Sequence, residues 1–138
     1  MDMNHTSELL QAYSKDPIAN YAMEGFDISY KQENSVCGDR LQVYLMVDDV
    51  QAPTKITERS RDGPAEMQTT AAASMLWEVI QWETISSIME RSYTTIKQMW
   101  LELSPRRRRS GVTALLATKN ALHQLHNDGI VEMFEDLL

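Results

Sequence analysis

Cysteine is almost missing from this chain: Cys37 is the single thiol in 138 residues. One cysteine cannot close a disulfide within the chain, so the fold must rest on an ordinary apolar core, in agreement with a reducing compartment. No run approaches the roughly 20 consecutive apolar residues that span a bilayer. The first ten residues, MDMNHTSELL, contain no basic region leading into an apolar stretch, and the expectation is a cytoplasmic protein with no membrane partner. Positive charge is in deficit: 13 Lys and Arg against 20 Asp and Glu give a formal net charge of −7, which argues against a general nucleic-acid binder. No Ser-His-Asp set, glycine-rich phosphate loop or paired-carboxylate motif stands out, so no enzymatic activity is expected. No internal repeat, low-complexity linker or composition break divides the chain, which reads as a single domain over 1–138.

What the chain does have is a globular balance, 43% hydrophobic and 24% charged, at a length that can bury one ordinary core. Residues from about Thr6 to Tyr13 can form a short helix with Thr6 as N-cap and Glu8 in its first turn, stopped by Asp16-Pro17. Phe26, Ile28 and Tyr30 alternate with polar residues as a first strand, and Leu41, Val43, Leu45 and Val47 mark a second. Asp48 to Pro53 is a connecting turn. Thr54 to Ser60 alternates poorly and reads as a third strand at an edge, where Lys55, Glu58 and Arg59 discourage pairing with other chains. Three short consecutive strands favour an antiparallel meander.

The remainder reads as helical. From Ala65 to Gln81, Met67, Ala71, Met75 and Val79 recur at helical spacing, flanked by Ala72, Leu76 and Ile80, a stripe wide enough to lie on a sheet. Burial of Leu76, Val79 and Ile80 contributes about 1.5–3 kcal/mol each. Shorter helices are expected over Thr84 to Glu90 and Thr95 to Leu103, with Trp100 and Leu101 inward. A longer one runs from Ser110 as N-cap to about Asn127, ended by Asp128-Gly129. The acidic, amphipathic tail from Ile130 to Leu138 packs as a last turn or two. The fold class is α+β, a small antiparallel three-stranded sheet packed by helices.

The lone thiol sits in Asn34-Ser35-Val36-Cys37-Gly38-Asp39, between the first two strands. Glycine beside a cysteine leaves room for another molecule to approach the sulfur, and Asp39 can bind the same metal or proton. The same pattern suits a small buried cysteine with no chemistry, so the local sequence leaves both readings open. Further along, Gly63-Pro64-Ala65-Glu66 precedes a helix rich in Ala and Ser (Thr69 to Met75) with Glu78 beyond it. Pro105, the run Arg106 to Arg109 and Ser110 then precede a helix carrying Ala114, Ala117, Lys119, Ala121 and Leu122.

In order and spacing these segments resemble the U-type iron-sulfur cluster scaffold family, the IscU, SufU and NifU amino-terminal domain proteins, over most of the chain. The resemblance implies a SufE/NifU-like fold. The family keeps a first cysteine in Asn-Pro-x-Cys-Gly-Asp, a second in a Gly-x-Gly-Cys turn, and a third after a basic segment and usually a histidine. Position by position, Cys37 and Asp39 stand where the family has cysteine and aspartate. Glu66 stands for the second cysteine, Ser110 for the third and Arg109 for the histidine. The resemblance therefore implies a kept scaffold with a dismantled metal site.

Thiolates suit zinc and two-iron clusters, whereas Glu66 offers a hard oxygen, Ser110 a neutral hydroxyl and Arg109 no lone pair at all. Cys37, Asp39 and Glu66 remain as candidate ligands for transient iron, zinc or an iron-sulfur cluster. A monomer is not expected to hold a stable cluster. The resemblance implies a cysteine desulfurase or another iron-sulfur biogenesis protein as partner, with Cys37 as sulfur acceptor. Nearby guanidinium groups would raise its thiolate fraction. Two further readings stand beside this one: a docking or regulatory module derived from the scaffold fold, for which Cys37 is dispensable, and a homodimer sharing one metal or cluster between two Cys37 sites.

Several other features have plainer readings. Arg106, Arg107, Arg108 and Arg109 form a solvated loop or a contact for an acidic partner, since the run has no interleaved aromatics and lies in an acidic chain. The family's Leu-Pro-Pro-Val-Lys chaperone segment has only Leu103-Ser104-Pro105-Arg106-Arg107 as counterpart, which argues against a dedicated Hsp70 partner. His123 and His126 share a helix face, but without supporting ligands they read as surface residues. The methionines fill core gaps, and Trp77, Trp82 and Trp100 are core or interface anchors, an exposed one marking a partner surface.

Overall fold

A computed structural model describes residues 8, 11–13, 20–34, 38–48, 54–99 and 103–138, without the side chains of Met67, Gln68 and Arg106. The expected N-cap at Thr6, the stop at Asp16-Pro17, Cys37, most of the turn before Pro53, and Trp100 and Leu101 lie outside the described residues. Glu8 and Gln11 to Tyr13 are helical, as expected.

Three strands, β1 (Ile28–Asn34), β2 (Asp39–Asp48) and β3 (Lys55–Asp62), form an antiparallel sheet in the order β1-β2-β3. Leu41, Val43 and Leu45 of β2 are fully buried on its core face. Alternation made β2 legible, because each core residue is separated by one that points away. Among the described residues, five helices follow: α1 (Met67–Ile80), α2 (Ile85–Met89), α3 (Tyr93–Gln98), α4 (Arg108–His126) and α5 (Phe134–Leu137). The third expected helix is thus shorter than Thr95 to Leu103 at its far end and starts earlier. Ser92, whose hydroxyl accepts from the Thr94 N–H, is a better cap than any residue nearer Thr95.

The long α4 crosses β1 and β2 and packs beside α1, so the core lies between the sheet and this helix pair. Ala71, Ala72 and Ala73 are buried in α1, and Val112, Leu115, Leu116, Ala121 and Leu122 in α4. Trp77 is a core residue, while Trp82, just past the end of α1 at φ 73°, is 71% exposed.

Two expectations are corrected here. Ser110 does not cap α4: a 3-10 turn over Pro105–Arg107 leads directly into the helix at Arg108, leaving Ser110 inside the first turn. Proline, with its fixed φ and no N–H to lose, starts this turn and moves the helix start upstream.

The second correction concerns β3. Lys55 is exposed as expected, but Arg59 is only 1% exposed and Arg61 2%. A register shift between Met46 and Val47 is the cause. Val47 pairs with Ile56, but Met46 pairs with Glu58, so Thr57 is an extra residue and the side-chain alternation flips beyond it. Arg59 and Arg61 then lie opposite Leu45 and Val43, on the core side. Arg59 Nη1 donates to the Ala73 carbonyl at 3.1 Å, and Arg61 Nη2 donates to the Thr70 carbonyl at 3.3 Å and Ser74 Oγ at 2.8 Å. Arg61 also donates to Asn20 Oδ1 at 2.7 Å. The β3 edge is bridged at one end by Asn20 to Arg61 and at the other by Thr84 to Lys55.

Burial, with the neighbouring Arg61 charge, lowers the Arg59 pKa to about 9. Its Nε and Nη2 find no hydrogen-bond partner among the described residues. A cation in this state opposes folding. Arg59→Met is therefore expected to leave stability unchanged or raise it by about 1–4 kcal/mol in denaturant titration, because apolar volume replaces a buried ion. A destabilisation instead would show that the bond to the Ala73 carbonyl outweighs desolvation.

Candidate functional site

At the end of the sheet where β1 turns into β2, Gly38 at φ 77° closes the turn by donating its N–H to the Asn34 carbonyl at 2.8 Å. The positive φ is why glycine stands there. Asp39, the first residue of β2, is 4% exposed. Its Oδ1 accepts the Glu66 backbone N–H at 2.8 Å, and its Oδ2 accepts the Thr69 hydroxyl. Asp39 thus caps the start of α1 from a different element, in place of a local capping side chain.

The close approach of strand and helix needs Gly63. At φ 118°, a Cβ there would meet the Arg40 carbonyl oxygen at 2.4 Å, while the Arg40 N–H donates to the Pro64 carbonyl at 2.9 Å. Glu66 then reaches across to α4, where its Oε1 accepts the Ser110 hydroxyl at 2.9 Å.

Asp39, Glu66 and Ser110 are therefore brought together as one hydrogen-bonded chain spanning β2, α1 and α4. Cys37 itself lies outside the described residues, two positions before Asp39 in sequence. Both Asp39 oxygens accept protein hydrogens, and one Glu66 oxygen is bonded to Ser110. This donor set stabilises itself internally and is poorly suited to a soft metal or sulfide cluster, which thiolates favour.

The arginine run does not form one patch. Arg107 is exposed, whereas Arg108 stacks over the Tyr93 ring at 4.9 Å. Arg109 pairs with Glu135 at 2.6 Å and lies 5.1 Å over the Phe134 ring. Arg109 is thus engaged by α5. Glu135 is held below its ordinary pKa by its own backbone N–H and then by Arg109.

Sequence reasoning missed Thr69. The signal was present, since Thr69 lies three residues beyond Glu66, the spacing that links an N-cap to the third helical residue. It also misread His123, which is 8% exposed rather than on the surface. Its Nδ1 lies 2.7 Å from Asp128 Oδ2 and its Nε2 2.7 Å from Glu132 Oε2. Neither acid stood out beforehand, because both lie beyond the end of the helix that carries His123. Among the described residues, no group of three or more His, Cys, Asp or Glu side chains is arranged to hold a metal ion.

Asp39→Ala is expected to cost about 1–2 kcal/mol of stability, since it removes the cap of α1 and strands a buried Thr69 hydroxyl. Ser110→Ala should cost less, because the Glu66 carboxylate it would release is solvent-exposed. Paired denaturant titrations check the order, and equal losses would show that the two contacts act as one unit.

Known proteins share this fold. The profile of the NifU-like N terminal domain family matches residues 5–129. Among solved structures, the amino-terminal part of a nitrogen-fixing NifU-like protein from Brucella abortus superposes with a TM-score of 0.69 at 14% identity, covering 88% of this chain and 94% of that one. A protein described as an iron-sulfur cluster assembly scaffold for the SUF system, from Fervidobacterium islandicum AW-1, also gives 0.69, at 18% identity over 88% of this chain and 99% of that one. At these identities the likeness is one of fold. No curated protein gives a significant match. No helix among the described residues is long and apolar enough to cross a membrane. The three-stranded sheet packed by helices and the family match over most of the chain agree, and the chain belongs to the NifU-like N terminal domain family.

Proposed function

We propose that this protein works in iron-sulfur cluster biogenesis as a one-thiol member of its family, taking sulfur as a persulfide on Cys37 and holding no stable cluster as a monomer. The supporting observation is the Asp39–Glu66–Ser110 chain, in which the positions that match family ligands bond to one another. Two of those positions carry oxygen in place of thiolate, so the cluster, which is the cargo of a scaffold, would find one sulfur ligand where the family offers three.

Sulfur acceptance needs only that one sulfur. The Cys37 thiolate attacks the terminal sulfur of a persulfide on a cysteine desulfurase. A new S–S bond forms at Cys37, the desulfurase S–S bond breaks, and the electron pair leaves with the desulfurase cysteine as its thiolate. The protein is then a carrier and not an enzyme, acting in the cytoplasm with a desulfurase or another biogenesis protein as partner. Arg109 is committed to Glu135, so activation of the thiol by that residue would require its release from α5.

Docking is a second reading, which one observation favours: Trp82 is 71% exposed on a left-handed backbone, where it offers a large amphipathic surface to a partner. In that role Cys37 would be dispensable.

Incubation with a cysteine desulfurase and cysteine should add the mass of one sulfur atom to the intact protein, and Cys37→Ser should abolish the addition. An unmodified wild-type protein would favour docking. Anaerobic reconstitution of the monomer should give no stoichiometric iron and sulfide and no cluster absorption band. The double variant Glu66→Cys with Ser110→Cys should gain zinc binding, because the Glu66–Ser110 hydrogen bond already spans the two helix starts and the new thiolates would complete, with Cys37, the family's three cysteine positions. Failure of the double variant to bind zinc, while still folded, would argue against convergence of Cys37 on the same point.

A further inference from the structure

The last eleven residues leave α4 through a left-handed turn at Asn127 (φ 52°) and Gly129 (φ 73°) and return along the same helix. Two groups of contacts fasten them. Near the turn, His123 lies between Asp128 and Glu132, with 2.7 Å from each ring nitrogen to a carboxylate oxygen. Lys119 Nζ adds an ion pair to Glu132 Oε1 at 2.9 Å and donates to the Arg91 carbonyl at 2.9 Å. Asn120 brackets the Glu132 backbone, accepting its N–H at 2.8 Å and donating to its carbonyl at 3.0 Å. At the far end, Phe134 and Leu137 are buried against α4, and Glu135 pairs with Arg109.

With both carboxylates ionised, the His123 geometry favours the imidazolium. Ionised carboxylates only accept, so both ring nitrogens must donate, and only the imidazolium carries two N–H groups. A neutral ring would leave one lone pair facing a carboxylate oxygen. A cavity of about 370 Å³, lined by His123 with Ile28, Ile130 and Val131, borders the ring. We propose that Asp128 to Leu138 form a proton-tuned strap, tightened along α4 when His123 is the imidazolium clamped between Asp128 and Glu132, and slackened when that proton is lost.

The electrostatic surroundings agree. Burial pulls the His123 pKa down, but its hydrogen bonds to the Asp128 and Glu132 carboxylates, with their charges, outweigh it and the net change is upward. Asp128 is held below its ordinary value, first by His123 and then by the Ile130 N–H. On α4 itself, Lys119 shares Glu132, and His126 lies near Asp128, whose carboxylate it favours when it carries a proton. The flanking β1 contributes Ile28 and Gln32, which do not titrate, while Lys31 and Glu33 pair with each other at 3.4 Å in solvent.

The sign follows from the raised value. Below the ordinary histidine pKa of about 6.5, the ring is protonated whether the strap is docked or free, and the clamp contributes fully. As pH rises through the higher docked-state value, that contribution is lost. The Glu132 end keeps Lys119 and Asn120, so the strap slackens without detaching. The strap does not depend on sulfur transfer, and its test contains none.

Amide hydrogen exchange of the full chain, followed by mass spectrometry at about pH 6 and about pH 8.5 and corrected for intrinsic rates, reads the strap directly. Protection over 129–138, relative to β2, should fall roughly tenfold at the higher pH, the equivalent of one charge-assisted hydrogen bond. His123→Gln should show the lower protection at both values. Asp128→Asn, a change at a partly exposed side chain that leaves the core intact, should reduce the pH dependence and move the His123 NMR titration midpoint downward. Unchanged wild-type protection between the two pH values would overturn the proposal, as would a full pH response in Asp128→Asn.

Discussion

A single buried carboxylate ties the sheet to the first long helix. Asp39 begins β2, yet both of its oxygens are bonded to the start of α1, so the end of the sheet and the helix amino terminus are fixed in one step. The unpaired N–H groups of a helix start favour negative charge, and a buried aspartate needs donors, so each answers a requirement of the other. Gly63 makes the approach sterically possible, and Glu66, held in place by the same contact, can then reach α4. Three elements distant in sequence meet here, Asp39 holding β2 to α1 and Glu66 carrying the contact on to Ser110 of α4.

That dependence explains how much of the fold and site was legible beforehand. β2 could be read because its alternation is unbroken, and α1 because its small and apolar residues recur with helical period. The turn beyond α4 could be read because Asn127 and Gly129 accept left-handed backbone. The convergence of Asp39, Glu66 and Ser110 could be inferred from family resemblance, although the residue type at each position said little about what they would do together.

What stayed hidden depended on contacts between distant segments. One extra residue at Thr57 reversed the facing of β3, and no local pattern announces a bulge. Arg59 therefore read as an edge charge and is a core residue. His123 read as exposed because its partners lie past the helix end, in a segment whose path depends on two left-handed residues. Arg108 and Arg109 read as a surface run because the rings and the acid that engage them come from α3 and α5. In each case a charged residue found an intramolecular environment that sequence distance concealed.

The bridges at the two ends of β3 have a bearing on assembly. An additional strand requires several consecutive free rungs along a sheet edge, and here Asn20 occupies the edge at Arg61 while Thr84 occupies it at Lys55. A second copy approaching this side would have to displace one of them before its own ladder could extend beyond the short stretch from Ile56 to Ser60. Self-association is thereby steered away from sheet extension along β3 and toward contacts between side chains, in which the backbone of each subunit keeps the pairing it has alone.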